Sequence, residues 1–217
     1  MFILKEPKTL LISCALTMSK TIRSDDDLWR LIREDQESAF TQLMERLFAS
    51  LIHYGRKFSS DKDLVQDCVQ DVLVDLWLRR TQTQPILSIR TYLFSSVRHS
   101  VCRRARQNQR FGSLTSDVED MPFTITFSVE ETWIADEIDR ERLHQLNLLM
   151  NQLPPRQKEI IYLRYYQGLE KDQIASILDI NYQSVSNLLH RALTNLRGQF
   201  PTSLPVLFWL YFSLLEN

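Results

Sequence analysis

The chain has 217 residues and a formal net charge of −1, enough for one or two small domains with real cores but without a global basic field. Any contact with nucleic acid must therefore come from locally segregated charge. Its 3 cysteines, Cys14, Cys68 and Cys102, are scattered, which excludes a disulfide framework or paired metal ligands and suits a reducing compartment. His53, His99, His144 and His190 do not cluster with carboxylates in sequence, and there is no Gly-rich phosphate loop, nucleophile elbow or zinc motif. Nothing in the sequence proposes an enzyme, a metal site, a cofactor or a small-molecule substrate. Scarce glycine and long helical periods point to an all-α fold.

Residues 1–18 read as an N-terminal extension. Lys5 and Lys8 precede an apolar run, and Leu11-Ile12-Ser13-Cys14 resembles a lipoprotein cleavage site. Against a secretory leader stands Met18, whose following residues look like a natural start. Ser24 then caps a first helix with Asp25, Asp26 and Asp27 in its opening turn, favourable against the helix dipole. A second helix over 39–58 carries an apolar stripe of Phe40, Leu43, Met44, Leu47, Phe48, Leu51 and Ile52.

The third helix, over 61–80, repeats Asp63, Asp67, Asp71 and Asp75 at four-residue steps, flanked by Gln70 and Val74. Like charges at that spacing destabilise an isolated helix by roughly 0.2–0.5 kcal/mol per pair. The ridge is either a solvated face or a docking surface for a basic partner. Leu64, Val65, Cys68, Val69, Val72, Leu73, Leu76 and Trp77 face inward, so Cys68 is a packing residue.

Residues 81–88 form a loop, because Pro85 cannot sit in a helix interior. A basic helix follows over 89–109, with Arg90, Arg98, Arg103, Arg104, Arg106 and then Arg110 facing no acid within the segment. Tyr92, Phe94 and His99 are interleaved. Arginine forks bind phosphates and aromatics stack on unpaired bases, so this helix beside a loop suits single-strand capture. The competing reading makes the aromatics core and the arginines merely soluble. The lack of counter-charge favours nucleic acid.

Periodicity is lost over 108–134. Gly, Ser, Pro and the acids Asp117, Glu119, Asp120, Glu130 and Glu131 make this a flexible interdomain linker. A helix from Ala135 ends at Pro154-Pro155, and another runs over 156–166 to Gln167-Gly168. In 171–196 two amphipathic helices are joined by a tight turn. Ile174, Ala175, Ile177 and Leu178 line the first, and Val185, Leu188, Leu189, Ala192, Leu193 and Leu196 line the second. Asp179 suits a left-handed turn position and Asn181 suits an N-cap. This is a helix-turn-helix, whose second helix would present Tyr182, Gln183, Ser184, Ser186, Asn187, His190 and Arg191 to a DNA major groove. An ordinary helical hairpin with a solvated polar face is the plainer alternative. The tail, 201–217, has an apolar run too short to span a bilayer reliably and is expected to pack on protein.

Four stretches in this order resemble the extracytoplasmic-function sigma factors, the smallest members of the bacterial sigma-seventy family: DQESAF, DCVQDVLVDLW, IRTYLFSSVRHSV, and the segment from LPPRQKEI to LTNLR. The resemblance extends over about 27–200, and the YQSVSNLLHRAL wording looks like a Bacteroidetes branch often paired with membrane anti-sigma factors. It implies a cytoplasmic protein with sigma region 2 over 19–107 and region 4 over 135–200. Region 2 would dock on the β′ clamp of core RNA polymerase through Asp67, Gln70, Asp71 and Val74. It would engage the minus-ten promoter element through Arg90, Tyr92, Arg98, His99, Arg103 and Arg104, with the 81–88 loop holding a flipped base. Region 4 would read the minus-thirty-five element through Lys171, Tyr182, Gln183, Ser184, Ser186, Asn187, His190 and Arg191 and touch the β flap. The linker would thread toward the polymerase cleft.

The chain departs from the family pattern in three places. Family recognition helices commonly carry Lys or Arg near Ser186 and Leu188. Here phosphate anchoring would rest on Lys171, Arg191 and Arg197, implying a shallower salt dependence. Glu170 replaces the usual Ser or Thr, which should weaken the cap of the first motif helix. The hydrophobic tail has no counterpart. Two other classes stand beside the resemblance: a stand-alone helix-turn-helix regulator binding operator DNA, and a signalling adaptor held at a membrane by its apolar ends.

Overall fold

The structure, a computed structural model, describes residues 23–82, 86–109, 121–125 and 137–199, without the side chains of 109, 137–144 and 197–199. The 1–18 extension, Pro85, Arg110, Asp117, Glu119, Asp120, Glu130, Glu131 and the 201–217 tail lie outside the described residues, as do the side chains of His144 and Arg197.

All regular structure among the described residues is helical: α1 (Asp25–Arg33), α2 (Glu37–Gly55), α3 (Lys62–Leu78), α4 (Ile89–Gln109), α5 (Glu137–Gln152), α6 (Pro155–Ile161), a π-helical turn (Tyr162–Tyr166), α7 (Lys171–Leu178) and α8 (Tyr182–Gln199). The sequence caps α1 as expected. The Asp27 amide donates to Ser24 Oγ at 3.1 Å, and the Ser24 amide donates back to Asp27 at 3.3 Å. Asp27 is thereby held below the usual carboxylate range, chiefly by the Ser24 side chain. Asp61 caps α3 by accepting from the Leu64 amide at 3.0 Å.

The first four helices wrap one apolar interior. Leu28, Leu43, Leu51, Val69, Leu93 and Val97 are all fully buried. At Gly55, the last residue of α2, a Cβ would lie 2.7 Å from Val65 Cγ1, so only glycine lets the chain pass α3 so closely. Cys68 and Cys102 sit inside this core, and burial pushes the Cys102 thiol up to about 11. Neither should react with a thiol reagent in native protein carrying Cys14→Ser, whereas denaturation should release both. Rapid native labelling of either would contradict this packing.

The later helices bury Ile160, Ile174, Ile177, Val185 and Ala192 in an apolar interior continuous with the first. The turn geometry read from sequence is present. Asp179 takes the left-handed conformation at φ 54°, and Asn181 accepts from the Ser184 amide at 2.7 Å. Glu170 makes no side-chain capping hydrogen bond, and the end of α7 is held from the other side. The Gln173 side chain accepts from the Glu170 amide at 2.9 Å, and the Glu170 carboxylate holds Arg164 at 2.8 Å. A glutamine three residues on supplies the returning half of a capping box that the Ser/Thr rule overlooks.

The linker reading missed one packed strip. Met121, Phe123 and Ile125 are buried and alternate with exposed residues. The Thr124 amide donates to the Lys57 carbonyl at 3.0 Å, and the Asn151 side chain donates to the Ile125 carbonyl at 2.7 Å. The strip is thus bonded to α5 and to the residues just after α2, and it lies where the two helical units meet.

Candidate nucleic-acid interface

The acidic ridge stands in solvent. Asp63, Asp67, Gln70, Asp71 and Asp75 are exposed along α3, and Val74 projects among them with 56 % of its surface accessible. Asp75 is paired with Arg79 at 3.0 Å and Asp71 with Arg104 of α4. Asp71, Val74, Asp75 and Leu78 form one wall of a groove whose other wall is Ser96, His99, Arg103, Arg104 and Arg106 of α4. The acidic and basic faces are therefore adjacent.

The basic helix divides in two. His99 and Arg103 are exposed, and Arg104 is partly so. Phe94 is fully buried, which makes it core rather than a base-stacking platform, and Tyr92 is half-buried. Arg98 is only 3 % exposed, so in this conformation it cannot meet DNA as the sequence suggested. Its Nε donates to Glu159 Oε1 at 2.8 Å and its Nη2 to Oε2 at 3.3 Å. The Tyr54 hydroxyl donates to the same carboxylate at 2.6 Å. Burial opposes the charge on Arg98, but Glu159 more than offsets it and holds the guanidinium above its ordinary pKa. Burial, and then Glu159, push the Tyr54 hydroxyl well above its ordinary value. The expectation that these arginines lack counter-charge thus fails twice, at Arg98–Glu159 and Arg104–Asp71. Both acids come from other helices, and a within-segment count misses them.

Arg90 also faces the second unit. Its Nη2 donates to the Gln167 carbonyl at 2.9 Å and to Gln167 Oε1 at 3.3 Å, while its Nε is buried without a hydrogen-bond partner. Around these polar contacts lies an aromatic seam. Tyr54 stacks on Tyr162 at 5.8 Å, Tyr162 on Tyr166 at 4.9 Å, and Phe123 wedges against Phe58 at 5.0 Å and Tyr162 at 5.8 Å. The sequence reading assigned none of Tyr54, Glu159 or Phe123 a role and gave Gln167 only that of a helix stop. Glu159 alone left a trace, as an acid between apolar Ile160-Ile161 and the proline stop, where a buried charge needs a partner.

His53 lies against Tyr166 at 5.2 Å in the same seam. Burial first, then Lys57 and Arg56, lower its pKa from 6.5 to about 4. A base whose folded pKa is depressed stabilises the fold fully above its unfolded value and loses that contribution as pH falls. Thermal stability should therefore decline as pH drops from 6.5 toward about 4. His53→Gln should flatten the upper part of that decline, where carboxylates are still ionised. An unchanged pH profile would contradict the assignment.

The recognition helix is open to solvent. Tyr182, Gln183, Asn187, His190 and Arg191 are exposed, with Ser184 and Ser186 half-buried. Gln183 Nε2 donates to Asn187 Oδ1 at 3.2 Å, and Lys171 lies 5.7 Å from the Tyr182 ring. These residues form one polar strip at the N-terminal half of α8, with the half-buried Lys171 from α7 beside it. Among the described residues no group of His, Cys, Asp and Glu could hold a metal ion, and no helix is long and apolar enough to cross a membrane.

Residues 43–111 match the family description "Sigma-70 region 2", and residues 143–196 match "Sigma-70, region 4". The chain is 25 % identical over 181 residues to the RNA polymerase sigma factor NccH of Alcaligenes xylosoxydans xylosoxydans, covering 82 % of this chain and 96 % of that one. It is 24 % identical over 171 residues to the RNA polymerase sigma factor YlaC of Bacillus subtilis, covering 79 % of this chain and 95 % of that one. In fold it is similar to CnrH in complex with the cytosolic domain of CnrY, with a TM-score of 0.52 at 21 % identity, covering 80 % of this chain and 95 % of that one. A second similar fold is the sigma factor RpoE in complex with the anti-sigma factor NepR from Bartonella quintana, with a TM-score of 0.50 at 20 % identity, covering 73 % of this chain and 94 % of that one. With regions 2 and 4 in this order on an all-α chain, the protein belongs to the sigma-70 family and has the extracytoplasmic-function arrangement.

Proposed function

We propose that this protein is an RNA polymerase sigma factor that binds the core enzyme, directs it to promoters and stabilises melted DNA. The observation that carries the reading is the presence of both matched regions with their two polar faces exposed, an acidic ridge on α3 and a polar strip on α8. Residues 19–107 form the polymerase- and minus-ten-binding domain, 108–134 the linker and 135–200 the minus-thirty-five-binding domain. Asp67, Gln70, Asp71 and Val74 dock on the β′ clamp. Tyr92, His99, Arg103 and Arg104 engage the minus-ten element, joined by Arg90 and Arg98 once the two units separate. The α8 strip with Lys171 reads the minus-thirty-five element, and region 4 touches the β flap. The role is non-enzymatic and cytoplasmic. The recognition strip of region 4 offers few cations, with Arg191 on α8 and Lys171 beside it, so linkage through polymerase supplies the effective concentration that promoter binding needs. An anti-sigma factor is the expected regulatory partner, as in the RpoE–NepR complex.

Run-off transcription with purified core enzyme and a library of promoter fragments tests this. Initiation that depends on the protein, from fragments sharing a two-part motif, is the expected result. Specific DNA binding without polymerase, and no effect on initiation, would instead indicate a stand-alone helix-turn-helix regulator.

A further inference from the structure

We propose that Glu159 of α6 is an internal phosphate mimic, which in the closed arrangement occupies the Arg98 fork that promoter DNA takes after the domains separate. The proposal rests on the reading of α4 as the minus-ten face. Arg98 meets Glu159 through two nitrogens and two oxygens, at 2.8 and 3.3 Å, which is the bidentate geometry arginine uses for phosphate. The pair is almost dry, with side chains 4 % and 3 % exposed. One helical face over from it, His99 and Arg103 remain in solvent. The closed molecule therefore shows DNA only part of its basic helix.

The neighbouring contacts join the same two units. Arg90 is held by Gln167, Tyr54 bonds Glu159 and stacks on Tyr162, and Phe123 of the linker touches both sides. The placement of the ion pair between units, rather than inside one, decides its effect. Removing one charge leaves the other buried and unpaired, which strongly disfavours the closed state. In an open state both groups are hydrated, and neither domain's own core depends on them. Neutralising Glu159 should thus act on the open–closed balance.

The test uses the full chain. Small-angle scattering and promoter binding by reconstituted holoenzyme are compared for wild type, Glu159→Gln, Phe123→Ala, and Glu159→Gln combined with Arg98→Ala. Circular dichroism verifies helix content. Glu159→Gln should raise the open-to-closed ratio at least about tenfold, and Phe123→Ala, which leaves the ion pair in place, should also expand the molecule. Glu159→Gln should form promoter complexes faster on pre-melted DNA. Once bound, wild type and Glu159→Gln make the same Arg98 contact, so their log–log salt slopes should agree, and Arg98→Ala should flatten the slope by about 0.7–0.9, one phosphate contact. Adding Arg98→Ala should abolish the faster binding and, with no charge left stranded, bring the molecule back toward the closed form. Glu159→Gln and Phe123→Ala as compact as wild type would overturn the lock, and opening without any gain in promoter binding would overturn the mimic. A wild type that supports no core-dependent initiation would instead sink the sigma-factor reading, a separate result.

Discussion

An Asp67→Lys variant is expected to lose core-polymerase binding by about a hundredfold or more, since like-charge juxtaposition at an interface costs several kcal/mol. It is also expected to melt higher than wild type. Asp67 is exposed on α3 and lies four residues from both Asp63 and Asp71. Two repulsions would become two attractions, for a gain of about 1 kcal/mol. In a chain this size that corresponds to a rise of about 2–4 °C in Tm. The opposite signs make the experiment decisive. A damaged fold would lower stability and binding together, whereas a docking face kept at the fold's expense loses binding as it gains stability. Asp71 is a poorer choice, because its pairing with Arg104 means that reversal there also disturbs α4. Pull-down or fluorescence titration with core enzyme, beside a thermal melt, reads both effects. Undiminished binding would remove Asp67 from the docking face.

Local chemistry carried much of this in the sequence. The Ser24 and Asn181 caps, the left-handed Asp179 and the exposed acid ridge depend on neighbours within four residues, and all are found. What was illegible joins residues far apart. Arg98 and Glu159 are 61 positions apart, and Tyr54 and Glu159 are 105 apart. Helical periodicity says which face of α4 is polar but not which helix covers it, so Arg98 read like any of its basic neighbours. The strip 121–125 has three apolar residues at period two, too short a run to stand out as an extended segment beside acids and prolines. The π-helical turn at Tyr162–Tyr166 had no signal either. It sets Gln167 in reach of Arg90, and the sequence continues the helical apolar pattern through it.

Replacing Arg103 by Ala is expected to impair promoter opening about tenfold while leaving core binding within about twofold, a loss of roughly 1.4 kcal/mol confined to the DNA step. Arg104→Ala should have the smaller effect of the two. Arg104 is partly buried and already paired with Asp71, so less of its charge is available to a phosphate, whereas Arg103 stands in solvent on the same helix. Its removal should even strengthen core binding slightly, by freeing Asp71 for the docking face. The double variant should flatten the salt dependence of complex formation on pre-melted DNA by more than the roughly 0.7–0.9 in log–log slope of one contact and less than the roughly 1.4–1.8 of two. Permanganate footprinting of the melted region, alongside core-binding titrations, separates the steps. Equal losses in core binding and opening would mean that these arginines belong to the polymerase contact, and the division of the α3–α4 groove into an acidic docking wall and a basic DNA wall would have to be abandoned.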